Sequence, residues 1–207
     1  EISAEIPRLL AEGVTFDNMD DIGDFNEVKD KIFNANVYFG HEPTLSCLKE
    51  GADMVITGRS TDSALFLSPI MYELGWAEDD WNNLARGIMA GHLLECGGQG
   101  AGGNYEYDWR SVPRMDELGF PIAEVSADDF VITKAPDCGG IICEQSCKEQ
   151  FLYEVHDPAN YLTPDVNVDI SNAALTQAGE NRVRVSNVKG KKRPDMLKLT
   201  MQAIRLP

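Results

Sequence analysis

The longest helical stretch in the chain, Trp81–Cys96, runs straight into a cluster in which Gly97, Gly98, Gly100, Gly102 and Gly103 share seven positions. Leu84, Ile88, Leu93 and Leu94 recur on or near one face of the stretch, the spacing of a core-facing helix. Glycine costs a helix about 1 kcal/mol per residue relative to alanine, so regular structure ends at Gly97. The longest helix thus carries an apolar face and stops at the glycine cluster.

On the N-terminal side, Ile6–Glu12 reads as a short amphipathic helix ended by Gly13, and Pro43–Glu50 as another stopped by Gly51. Asp53–Thr57 is a short apolar run before Gly58, the pattern of a buried parallel strand. Ser60 or Thr61 is placed to cap the next helix, which passes Leu65, Leu67, Ile70 and Met71 to Gly75. Beyond the glycines, Asn104–Gly119 has turn character. Pro121–Val125 and Phe130–Thr133 then read as a hairpin joined by Ser126–Asp129, and Gly139-Gly140 opens a helix over Ile141–Val155. Val166–Ile170, Arg182–Val185 and Met196–Thr200 alternate as strands with one wetted face. These elements predict an α/β fold with a mainly parallel sheet flanked by helices. Residues 1–120 form its alternating part, and 121–207 a hairpin-rich, mostly β part.

Charge narrows the partners. The 34 acidic and 18 basic residues leave a net charge of −16, whereas phosphate-backbone binding relies on a basic surface, so no nucleic-acid partner is expected. Residues 180–207 reverse the balance with 2 acidic and 8 basic side chains, suggesting a tail that docks on an acidic surface. Its run Lys189–Arg193 reads either as an anion grip or as a solvated turn between strands. No apolar run approaches the ~20 residues of a membrane span, and Glu1–Leu10 lacks a signal-peptide pattern. The chain starts without methionine and stops just after the strand-like Met196–Ile204, which reads as an excised or partial piece. Five cysteines, an odd number in a chain of this size, point to the cytoplasm or another reducing compartment. Cys143 and Cys147 lie one helical turn apart, but no second pair has zinc spacing, so no metal is expected.

Three places carry candidate chemistry. The strand-to-helix turn Thr57–Asp62 offers Arg59 as a fork for carboxylate or phosphate; alternatively, Arg59 and Asp62 only hold the helix start. In Gly91–Gly98, His92 and Cys96 lie four apart and share a helix face, with Glu95 beside them. Together they could do acid–base or nucleophilic work, or bind a metal with a nearby carboxylate. The helix C-terminus, however, raises a thiol's pKa. The plainer reading of His92 is a hydrogen-bonded core residue. In Thr133–Gly140, Lys134 leaves a strand before Gly139 and Gly140, as a phosphate cradle or an ordinary connection. Asp165 could face the same cleft, while His41 has no evident partner in the sequence.

As a set these motifs resemble the acyclic terpene utilisation family, AtuA. The resemblance rests on Gly51–Arg59 with Asp62, Gly91–Gly97, Gly119–Val125 and Thr133–Pro136. It continues through Leu152–Val155, Asp157–Ala159, Tyr161–Asp165 and Arg193–Asp195. It covers the chain from about Asn36 onward, departs from the family at Cys138, Cys143 and Cys147, and implies the central segment of a longer protein. It further implies bacterial breakdown of citronellol- and geraniol-type terpenes through branched acyl-CoA thioesters, with a hydratase or carbon–carbon lyase step. In that chemistry His92, Glu95 and Cys96 would be catalytic. Arg59, Asp62, Gly97, Gly98, Lys134, Gly139, Gly140 and Asp165 would bind substrate: Arg59 and Lys134 gripping CoA phosphates, and backbone N–H groups of Gly97–Gly103 stabilising an oxyanion. Coenzyme A would enter as part of an acyl thioester substrate, and no motif for another organic cofactor is present. The alternative is a non-catalytic subunit or assembly module, and in either case a homo-oligomer or complex subunit is expected.

Overall fold

A computed structural model describes residues 1–17 and 24–204. Among the described residues, helices α1 (Ile6–Ala11), α2 (Phe25–Val28), α3 (Glu42–Lys49), α4 (Ala64–Leu74), α5 (Trp81–Leu94) and α6 (Glu144–Leu152) combine with nine strands. The strands form three sheets. Strand β1 (Ile32–Val37) pairs with β9 (Leu199–Ala203). Strands β2 (Pro121–Val125), β3 (Phe130–Lys134), β7 (Arg182–Ser186) and β6 (Ala174–Gly179) make a four-stranded sheet in that order. The third sheet is β4 (Tyr161–Leu162), β5 (Asn167–Asp169) and β8 (Lys189–Lys191).

Every ladder is antiparallel, which corrects the expected mainly parallel sheet. Among the described residues the parallel contacts are isolated bridges, Phe39 with Ser60 and Leu118 with Gly139. The error traces to residues 53–57, which form no strand and leave Met54 and Ile56 exposed, Ile56 at 89%. A short apolar run becomes a buried strand only with sheet neighbours on both sides, and here a single bridge forms, beyond Gly58. The basic run at Lys189–Lys191 is likewise a strand, β8, and not a turn.

The core is built around α5. Its Leu84, Ala85, Ile88, Met89, Ala90 and Leu93 are buried, with Leu67 and Met71 of α4 on one side. Phe130, Ile132, Val183 and Val185 of the four-stranded sheet, Phe151 of α6 and Val168 of β5 complete it. Asp80 starts α5 by accepting from the backbone N–H of Asn83, an N-cap that satisfies a donor otherwise left free. Alternation along β7 turns Val183 and Val185 inward and leaves Arg182 and Arg184 to pair with Glu124 and Asp129. Lys191–Asp169 and Arg193–Glu42 extend the pattern, so the basic C-terminal part lies on acidic groups of its own chain.

Two features position the site. A Cβ on Gly91 would collide with the backbone of Ser63, so glycine lets the start of α4 lie directly on the last turn of α5. Gly97, at φ +57°, reverses the chain after α5 and receives the Phe120 ring against its α-carbon. No described helix is long and apolar enough to cross a membrane.

Candidate functional site

The crossing at Gly91 and Ser63 places His92 next to the start of α4. His92 is 2% exposed, and its ring centroid lies 5.6 Å from that of Tyr161 in β4. Burial holds the imidazole below its usual pKa, against smaller opposing effects from the peptide groups of Gln150 and Tyr153 and the charge of Glu154. At neutral pH His92 is therefore uncharged. Burial also pushes the Tyr161 phenol up to about 12, opposed by a hydrogen bond with Ser63 and reinforced by the charges of Glu95, Glu154 and Asp62.

Cys96 closes the group. Its thiol donates to Glu95 Oε1 at 3.0 Å. Its pKa is pushed to about 11 by burial first, then by Glu95, while the Gln150 amide beside it lowers the value. Such a thiol is protonated at physiological pH and is no thiolate nucleophile. Alkylation by iodoacetamide at pH 8 should accordingly be slow at Cys96, with only about one molecule in a thousand ionised. Glu95→Gln should accelerate it, since the carboxylate disfavours the thiolate. An alkylation rate at Cys96 equal to that of an unperturbed thiol would contradict this geometry.

Unpaired polar atoms mark the same spot. His92 Nε2 and both amide atoms of the fully buried Gln150 have no hydrogen-bond partner among the described residues. Most buried polar groups in folded proteins are paired, so unpaired atoms on two side chains single this place out among the described residues. Sequence reasoning found His92, Glu95, Cys96 and Asp62 but missed Tyr161, Ser63 and Gln150. These three sit on a two-residue strand, at a helix start and inside an ordinary amphipathic helix, where spacing carries no signal.

The other expected site residues are placed differently. Arg59 Nη2 meets Asp62 Oδ1 at 2.5 Å and the carbonyl of Ser60 at 2.6 Å, and its guanidinium lies 4.7 Å from the Tyr38 ring centre. It holds the turn before α4, as the plainer reading had it. The cradle at Lys134, Gly139 and Gly140 is corrected. Lys134 Nζ donates to the carbonyl of Cys138 at 2.8 Å, and the N–H groups of Gly139 and Gly140 donate to Glu117 and Pro113. The following helix starts only at Glu144, capped by Cys143. The oxyanion role expected of the glycine loop is corrected for residues 99–103 for the same reason. The N–H groups of residues 99–104 donate within the loop, to carbonyls of Cys96, Gly97, Gly98 and Gln99. Gly97 and Gly98 instead shape the reversal and give room to Phe120 and Leu118. Asp165 faces none of these groups; it is buried against His41. Among the described residues no three His, Cys, Asp or Glu side chains converge as metal ligands, so a metal at His92 and Cys96 finds no third donor there.

No curated protein and no solved structure matches the chain. The family model for acyclic terpene utilisation protein AtuA matches residues 1–205. With nearly the whole chain matched, it belongs to the acyclic terpene utilisation family AtuA, whose name ties it to terpene catabolism.

Proposed function

We propose that the protein acts on a branched acyl-CoA thioester in acyclic terpene catabolism, as a hydratase or a carbon–carbon lyase. The observation that carries the reading is the packing of buried His92 against part-buried Tyr161, with unpaired polar atoms on His92 and Gln150, in a chain of this family. The Gln150 amide N–H group supplies a hydrogen bond for a thioester carbonyl and the unpaired Nε2 of neutral His92 accepts one from a substrate hydroxyl, both strengthened by the low dielectric around them. Tyr161, with its raised pKa, remains a proton donor at neutral pH. Glu95, Glu154 and Asp62 set the local negative field and oppose loss of that proton.

Incubation of the purified protein with branched enoyl- and 3-hydroxyacyl-CoA thioesters, followed by mass spectrometry, tests the reading. Hydration, dehydration or cleavage of at least one thioester is expected, with turnover falling about 10²-fold or more in Tyr161→Phe. An inert wild-type protein against the whole panel overturns it. Exposed Met54, Ile56 and Phe33 support self-association in the same reading, and light scattering showing a monomer at every concentration removes that part.

A further inference from the structure

A second polar centre stands on segments shared with the His92 group. His41 Nδ1 is 2.6 Å from Asp165 Oδ1, and the backbone N–H of His41 donates to the same oxygen at 2.8 Å. Both side chains are 1% exposed, and the two residues stand 124 positions apart in the chain. A carboxylate on Nδ1 fixes the tautomer that carries its proton there and leaves the Nε2 lone pair free. His41 Nε2 and Asp165 Oδ2 have no hydrogen-bond partner among the described residues.

The fold commits several residues to this contact. A Cβ on Gly40 would overlap the Asp165 carboxylate, so glycine is required for the approach. Ser68 of α4 donates to the His41 carbonyl at 3.1 Å. Thr163 Oγ1 accepts from the backbone N–H groups of Asp165 and Val166 and holds the turn that presents the carboxylate. Phe39, two residues before His41, accepts the Thr61 N–H, and Asp165 follows Tyr161 by four residues. The dyad thus hangs on the two segments that supply Asp62, Ser63 and Tyr161 to the His92 group. Arg193, which pairs with Glu42 at 2.6 Å on the surface, is held above the usual guanidinium pKa first by Glu42 and further by the charge of Asp165.

We infer that His41 and Asp165 form a proton-accepting dyad, with His41 Nε2 the base that takes the hydroxyl proton of a bound 3-hydroxyacyl thioester. His92 has no carboxylate on its ring to stabilise an imidazolium; His41 has one, with the geometry of a base oriented by an acid. In the step, the O–H proton passes to Nε2 and the oxygen's electron pair forms a C=O bond. The bond between the carbinol carbon and the α-carbon breaks, and its pair enters the thioester enolate. The imidazolium then returns the proton to the α-carbon. The identity of the substrate rests on the reading proposed above; the presence of a reactive base does not.

The experiment separates the two. Diethyl pyrocarbonate acylates an unprotonated imidazole nitrogen, and peptide mass spectrometry distinguishes His41, His92 and His156. In the native wild-type protein His41 is expected to label at a rate independent of low urea concentrations, and severalfold more slowly in Asp165→Asn. Labelling of His41 that occurs only with global unfolding overturns the dyad as a reactive base, whatever the thioester panel shows. Where the panel gives turnover, folded His41→Gln should lose about 10²–10⁴-fold in kcat with a smaller change in KM, and full activity in that variant overturns the assignment. An inert wild-type protein removes the thioester reading while the labelling still decides the dyad.

Discussion

Replacing Asp165 with alanine is expected to lower the unfolding free energy by about 3–5 kcal/mol, because two buried donors lose their acceptor at about 1–3 kcal/mol each. The carboxylate accepts from both the backbone and the ring of His41 through one oxygen, and both residues are 1% exposed. Alanine leaves two donors buried without an acceptor and opens a space under Gly40. In a chain of this size the loss corresponds to a Tm decrease of roughly 6–20 °C, at about 2–4 °C per kcal/mol. Asp165→Asn keeps the shape and an acceptor oxygen and should cost less than half as much. Urea unfolding of the variants measures this directly. A loss below about 1 kcal/mol for alanine would mean that the pair joining the start of α3 to the turn after β4 is not formed.

The second large effect is expected at Phe130. Its ring is fully buried, and its strand position pairs with Val125 on one side and Val185 on the other. Phe130→Ala should cost about 3–5 kcal/mol, from lost transfer energy and the cavity left behind. Ile56→Ala is the matched control, because Ile56 is 89% exposed and a surface substitution normally changes stability by less than about 0.5 kcal/mol. The pair distinguishes the antiparallel core from the parallel arrangement that the sequence suggests. Were Ile56→Ala to cost several kcal/mol and Phe130→Ala little, residues 53–57 would be the buried strand after all.

Much of the local structure was legible because the signals are local. Gly13, Gly51 and Gly75 follow helices where expected, all with positive φ. The hairpin Pro121–Lys134 forms with its turn at Ser126–Asp129, and α5 spans nearly the whole anticipated stretch. Sheet direction was not legible. A short run such as Asp53–Thr57 is apolar enough for a buried strand, but its neighbours decide, and they lie far along the chain. β1 shows the same problem: its partner β9 is more than 160 residues away.

The site divides along the same line. His92, Glu95 and Cys96 are neighbours on one helical turn, and the sequence displays them. Tyr161, Ser63 and Gln150 reach them only through the α4–α5 crossing and the docking of α6, neither of which leaves a spacing signature. His41 had no visible partner because Asp165 is 124 positions away. The glycine motifs misled for a further reason: Gly-rich turns suit a phosphate cradle only when their N–H groups point outward. Those at Gly139, Gly140 and residues 99–104 are consumed by nearby carbonyls.

Hydrogen exchange of the whole protein, read by mass spectrometry with and without a saturating branched 3-hydroxyacyl-CoA, addresses the central claim that segments distant in the chain share one site. Ligand should slow exchange together in peptides covering residues 59–66, 92–99 and 150–162. Protection confined to one of these segments, or seen only elsewhere in the chain, would contradict it.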